Sequence, residues 1–361
     1  MNLLTPGHHL AYRLAGLLAV FLVLSGSRVA SAQDSAFLFG YRYDEPIRQP
    51  LPYYAGSADS LSRPVYRTLL LTSKNGQAAI SEAVEGLLVP RNKGFWRIDT
   101  KRSIYNNWVE DFVWSAPQGK SPELPGIQAY NGENCEGHRI QKINYVGADY
   151  ISMEVNTAGY CEDAAHPWNF NTLAVVPVDS TTHLGVPISR VLGDSGRAAL
   201  YRAAERYLNG LSPEEQELYL PVPDEASWGL VRREGRWIIQ GRLDPGSVNF
   251  GEPADFDVDA QPPAALVGRG QRNPAWSEIL SFAPDARDAF APPGGDMLVI
   301  LHPDSLTVHP VTEGTIGPAT LTTSLPHDAT TVMALWTIGP RASSWTEPFA
   351  RTAPHSVTES R

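Results

Sequence analysis

The stretch Arg197–Leu208, RAALYRAAERYL, sets Leu200, Ala203, Ala204, Tyr207 and Leu208 on one stripe at helical spacing. Asp194 or Ser195 can cap its start, and Asn209-Gly210 can end it. A second short helix opens at Ser212-Pro213-Glu214-Glu215, a capping box with proline at the first helical position. Around this helical pair the period changes to two. Tyr150–Val155 alternates, with Ile151, Met153 and Val155 on one face and Tyr150, Ser152 and Glu154 on the other. Leu173–Val178 reads as another strand. Trp228–Val231 and Arg236–Ile239 flank the polar turn Arg232–Gly235, a hairpin signal, and Glu85–Pro90 with Phe95–Ile98 repeat it around Arg91–Gly94. These elements predict an α+β fold, an antiparallel β-sheet packed against one or two helices. The two similar hairpins carry the alternative, a small all-β propeller-like fold.

Outward from this segment, Tyr66–Thr72 is the first expected strand, and residues 33–65 read as an extended lead-in rich in Pro and Tyr. Residues 251–295 are rich in Pro, Gly, Ala and Asp and read as a long, partly ordered connection. Met297–Leu301 is a continuous apolar run, expected as a strand covered on both faces. Leu306–Val308 returns beside it, and Thr331–Ile338 is the final strand. The expected organisation is a signal peptide (1–32), an N-terminal β-rich region (33–125), an α+β domain (126–345) holding the 251–295 insertion, and a flexible tail (346–361).

Arg13 precedes the short apolar run Leu14–Leu24, and Val29-Ala30-Ser31-Ala32 follows it, the pattern of a secretory signal peptide cleaved near Ala32. The run is too short to span a bilayer, which takes about 20 apolar residues. The expectation is a bacterial protein, periplasmic or secreted, with no membrane span once the signal is removed. The net charge of −10 repels phosphate backbones, so nucleic acid is not an expected partner, while a basic protein is. In an exported chain, the two cysteines, Cys135 and Cys161, point to a disulfide worth roughly 3.5 kcal/mol in the chain-entropy model. A cysteine nucleophile or a metal site is the alternative.

Gly193-Asp194-Ser195-Gly196 spells the segment around a trypsin-like nucleophile, and Ala164-Ala165-His166 echoes that family's histidine segment. In such proteases the two segments come from different barrels, whereas here a single strand separates them. A triad is defined by geometry, so Ser195 reads as a helix cap. Glu162, Asp163 and His166 stand close together beside Cys161, too few for a metal site with three or four ligands. The chain contains no P-loop, G-x-S-x-G, H-E-x-x-H or G-x-G-x-x-G motif. No catalytic residue, metal or cofactor is therefore expected.

Tyr150-Ile151-Ser152-Met153-Glu154, the loop Gly159–Pro167, Asn169-Phe170-Asn171 and the helix after Pro187-Ile188 follow one another in order. His302–Val308, Gly314–Pro318 and Leu325-Pro326 come later. This series, over roughly residues 126–340, resembles the extracellular domain of RsiV-type lysozyme-sensing anti-sigma factors and the accessory domain of PdaC-type peptidoglycan deacetylases. Asp163 and Ala164 replace that family's paired glycines. The resemblance implies a non-catalytic cell-envelope domain that binds a protein or glycan, with an envelope protein or a peptidoglycan-related ligand as partner. The residues expected to bind are Tyr160, Asp163, His166, Trp168 and Asn169, in a loop held by Cys161. Two other readings stand beside it. One is an enzyme acting on cell-wall glycan, since acid–base chemistry needs only two well-placed groups such as Glu162 and Asp163. The other is a structural envelope protein.

Overall fold

A computed structural model describes residues 34–46, 62–74, 77–92, 94–105, 108–120, 122, 135–162, 168–181, 185–246, 252–268 and 274–352. The expected signal peptide, Asp163, His166 and the end of the expected tail lie outside the described residues.

The first sheet begins with β1 (Ser35–Pro46), β2 (Ser62–Lys74), β3 (Gln77–Ile80) and β4 (Val84–Glu85). The second contains β5 (Leu87–Arg91), β6 (Gly94–Tyr105), β7 (Trp108–Pro117), β8 (Cys135–Val146), β9 (Tyr150–Cys161) and β10 (Trp168–Pro177). Next come α1 (Ile188–Asn209) and α2 (Pro213–Gln216), and then the third sheet, β11 (Trp228–Arg233), β12 (Arg236–Leu243) and β13 (Ala254–Asp257). Two short helices, α3 (Ala264–Val267) and α4 (Trp276–Phe282), precede the fourth sheet. That sheet holds β14 (Asp288–Phe290), β15 (Met297–Leu301), β16 (Ser305–Thr312), β17 (Thr315–Ile316) and β18 (Leu321–Ser324). The last strand, β19 (Thr330–Ile338), returns to pair with β1, and α5 (Pro340–Ala350) follows.

The first sheet runs β19-β1-β2-β3, with β4 on β2, and the second runs β10-β9-β8-β7-β6-β5. Pairing is antiparallel throughout except between β7 and β8, which are parallel at Trp108–Glu110 against Gly137–Arg139. Strands from both sides of residue 126 thus share the second sheet. Strands hold 53% of the described residues, in a four-blade, propeller-like arrangement. The fold is therefore mainly β, with antiparallel sheets as expected, and it matches the all-β alternative more closely than an α+β domain. The amphipathic stripe of α1 is the clearest local pattern in the chain, whereas the order of sheets is a long-range property that no single strand displays.

Two cores explain how β1 sits. Phe37, Phe39 and Tyr41 face one core, shared with α1 and with strands of the third and fourth sheets. Ala36 and Leu38 face another, shared with the second sheet and with Phe349 of α5. Both faces of β1 are buried, so its sequence lacks the alternation expected of a half-exposed strand, and SAFLFGYRYDEP hides inside the apparent lead-in. The 251–295 segment contributes β13, α3, α4 and β14 among its described residues. Met297–Leu301 is buried throughout, as its apolar run implies: Val299 faces the first core, and Leu298 and Ile300 a small third one.

The expected helical stripe holds. Leu200, Ala203 and Ala204 are buried, Tyr207 and Leu208 pack against the same core, and Arg202 and Glu205 face solvent. The helical span begins earlier than expected, at Ile188, and Gly193 interrupts it with φ 71° and ψ −170°, a conformation open to glycine. Ser195 does not accept a capping bond. Its hydroxyl donates to the carbonyl of Leu192 at 3.1 Å. In α2 the capping box between Ser212 and Glu215 is complete.

Candidate functional site

The described residues among those expected to bind, Tyr160, Trp168 and Asn169, lie at one end of the second sheet. Cys135 and Cys161 face each other in the β8–β9 register and form a disulfide, with Cα atoms 4.0 Å apart. The bond joins the start of β8 to the end of β9. Tyr160 is half-buried inside β9, and Trp168 and Asn169 open β10. The binding loop read from the sequence is therefore shorter than expected, since three of its five named residues lie in strands.

Strand alternation then divides those residues between two faces. Trp168 pairs with Gly159, and Asn169 pairs with Ala158. Trp168 and Phe170 lie on the face of Gly159 and Cys161, whereas Asn169 and Tyr160 share the opposite face with Asn156 and His138. The register thus separates Trp168 from Tyr160 and Asn169.

On the aromatic face, two glycines make room for rings. A Cβ on Gly159 would come within 2.6 Å of Trp168 Cζ2, so the indole lies directly on the β9 backbone. A Cβ on Gly137 would come within 2.7 Å of Trp108 Cζ3. Trp108 is buried, Trp168 half-buried, and Phe170 is 66% exposed. Phe170 was not among the expected site residues. Its signal was present all the same: two residues after Trp168, between Asn169 and Asn171, it continues the aromatic face of a strand.

The polar face is a hydrogen-bonded chain across three strands. His138 Nε2 donates to Asn156 Oδ1 at 2.6 Å, and Asn156 Nδ2 donates to Asn169 Oδ1 at 3.1 Å. Burial lowers the His138 pKa from its usual value, and the nearby Arg102 guanidinium lowers it further, while the Asn156 bond and Asp111 act the other way. The imidazole is thus held neutral, a donor fixed by its neighbour.

Of the carboxylates close to this end, Asp111 is fully engaged, whereas Glu110 keeps its buried Oε2 without a hydrogen-bond partner among the described residues. Arg102 binds both oxygens of the buried Asp111, at 2.6 and 2.7 Å, and Arg139 pairs with Glu110 at 3.2 Å. A general base needs a lone pair aimed at the substrate's proton, and Asp111 has both oxygens committed to its arginine. Among the described residues, no group of three or more His, Cys, Asp or Glu side chains is placed to hold a metal ion. No described helix is long and apolar enough to cross a membrane. A cavity of about 980 Å³ lies elsewhere, along Arg236–Ile238 and Asp257–Gln261, and is lined by none of the expected site residues. In chemical terms, the disulfide end offers aromatic surface on one side and fixed amide donors and acceptors on the other, an arrangement suited to recognition. No protein-family model matches the chain, and no curated protein matches it either.

Proposed function

We propose that this protein is an exported, non-catalytic cell-envelope domain that binds an envelope protein or a peptidoglycan-related ligand through the disulfide end of its second sheet. The observation that carries this reading is the ring of Phe170, left 66% exposed beside the half-buried Trp168. Aromatic rings provide large apolar contact at small entropic cost, and they concentrate binding energy where water can be excluded. The disulfide holds the strands that carry them, which lowers the order lost on binding. Asp163 and His166, which stand between β9 and β10 in the sequence, complete the set of residues this reading assigns to the ligand. The net charge of −10 favours a basic protein partner. The resemblance of residues 126–340 to RsiV-type and PdaC-type domains points to the same class of ligand.

The test uses two probes, purified peptidoglycan sacculi in a sedimentation assay and egg-white lysozyme as a basic protein in calorimetry. At least one should bind, and the double variant Trp168→Ala, Phe170→Ala should weaken that binding roughly tenfold or more while far-ultraviolet circular dichroism is unchanged. Binding that survives the double variant would move the site elsewhere. Failure of both probes, or release of soluble fragments from the sacculi, would overturn the reading.

A further inference from the structure

A second pocket lies where β1 and β19 of the first sheet approach β8–β10 of the second and β11–β13 of the third. It is a cavity of about 280 Å³, and it is lined by Arg42, Lys142, Arg232 and Arg242 together with Glu154 and Asp255. Three of the four cations have carboxylate partners. Arg242 holds both oxygens of Asp255, at 2.6 and 2.9 Å, and reaches Glu154 at 3.0 Å. Arg232 holds Asp288 at 3.0 Å with both side chains almost fully buried. Lys142 lies 3.7 Å from Asp44.

Arg42 is different. It is only 9% exposed, yet it has no carboxylate within ion-pair distance among the described residues. Its Nη1 donates to the carbonyl of Ile143 at 2.7 Å and to Asn144 Oδ1 at 3.0 Å. Both acceptors are neutral. The Nε and Nη2 groups make no hydrogen bond within the described residues. They form the edge of the guanidinium that grips a carboxylate with two parallel bonds. Neither nitrogen is among the buried atoms left without a partner, so this edge of the guanidinium opens onto the cavity. Lys142 and Arg232 each have one carboxylate and Arg242 has two, so the charges of the cluster balance, and the Nε/Nη2 edge of Arg42 is where an added carboxylate meets unengaged donors.

We propose that this cavity binds a small carboxylate, clasped by the Nε/Nη2 edge of Arg42. Two sources supply that chemistry: a free small carboxylic acid, and the carboxylate terminus of a peptide. The confined volume and the fork of donors select a planar, two-oxygen group over a spherical anion.

Calorimetric titration of the purified protein separates the cases. The probes are sodium acetate, N-acetyl-alanyl-alanine and the C-terminal amide of that dipeptide, with sodium chloride at matched ionic strength as the reference. Saturable binding of acetate or of the peptide acid is the expected result, with none for the amide. Acetate binding alone identifies a free acid as the ligand, and peptide-acid binding alone identifies a chain terminus. Arg42→Lys keeps the charge but loses the fork, and should weaken the bound acid roughly tenfold or more. Arg42→Gln should do the same, and Arg42→Lys serves alone if that variant does not fold. Equal heats for acid and amide, competition by chloride at equal strength, or unchanged affinity in Arg42→Lys would each overturn the proposal.

Discussion

His138 shows how a single residue ties the candidate site to stability. Its ring is half-buried and donates to Asn156, and burial sets its pKa below the ordinary 6.5. The unfolded chain therefore takes up this proton before the folded one as pH falls. The stabilisation from this residue is complete above pH 6.5 and is lost as pH drops toward the depressed folded value. His309 carries the same sign, because burial lowers its pKa also. Urea unfolding followed from pH 7.5 to about pH 5 should thus show stability declining below the usual histidine range. His138→Gln keeps a donor near Asn156 but cannot titrate, so its decline should be shallower. A decline of equal steepness in the variant would remove His138 from the account. At this scale the sequence showed the chemistry but not its placement. Two cysteines, in a chain whose first residues read as a signal peptide, pointed to the Cys135–Cys161 bond, and the residue types Tyr, Trp and Asn pointed to recognition. Their distribution over two faces follows from the β9–β10 register, which depends on where each strand begins.

The helix α1 illustrates what periodicity reads well. Leu200 is fully buried, and its Cδ1 lies over Gly241 of β12, where a Cβ would come within 2.6 Å. Glu205 faces solvent one turn further on. Leu200→Ala should cost about 2–5 kcal/mol, because the rigid sheet beneath it cannot close the cavity. Glu205→Ala should change stability by about 0.5 kcal/mol or less. Equilibrium denaturation of the two variants checks the pair, and similar losses in both would mean that the helical face is misassigned. Hairpins were equally legible: β5–β6 and β11–β12 turn where their Gly-containing links predict, with Arg91 paired to Gly94 and Arg233 to Arg236. What local pattern missed has a common cause. β1 is buried on both faces from Ser35 to Arg42, so that stretch shows no alternation in burial, which begins only at Tyr43. The start of β8, Cys135–Ile140, is a polar run whose parallel partner β7 is fixed only by long-range packing. A propeller-like order of sheets is such a long-range property, which is why one well-formed helix outweighed many short strands in the reading.

The whole molecule is closed by its two ends. β1 at Ser35–Arg42 pairs with β19 at Thr330–Ile338, so the first sheet takes strands from opposite ends of the described chain. Across that seam Phe37 stacks on Trp336 with ring centroids 4.2 Å apart, and Val332 and Met333 are fully buried. Contacts between residues so far apart in sequence form late, since a very long loop must close before they are rewarded. The seam should therefore be the last part to assemble and the part whose loss is least tolerated. Burying each large apolar side chain contributes roughly 1.5–3 kcal/mol, and whole domains are stable by only about 5–15 kcal/mol. Removing residues 330–361 deletes several such side chains and leaves one edge of β1 unpaired, while its other edge stays on β2. The truncated protein should lack a cooperative thermal transition. A synthetic peptide spanning residues 328–350 should restore that transition in a concentration-dependent manner, as a strand added in trans stabilises the folded form by mass action. A peptide with Val332 and Met333 replaced by serine should fail, because pairing without burial leaves the seam's apolar contacts unmade. If the truncated chain melts cooperatively at the full-length midpoint, the two ends are not a closure, and the sheets hold together without their first and last strands meeting.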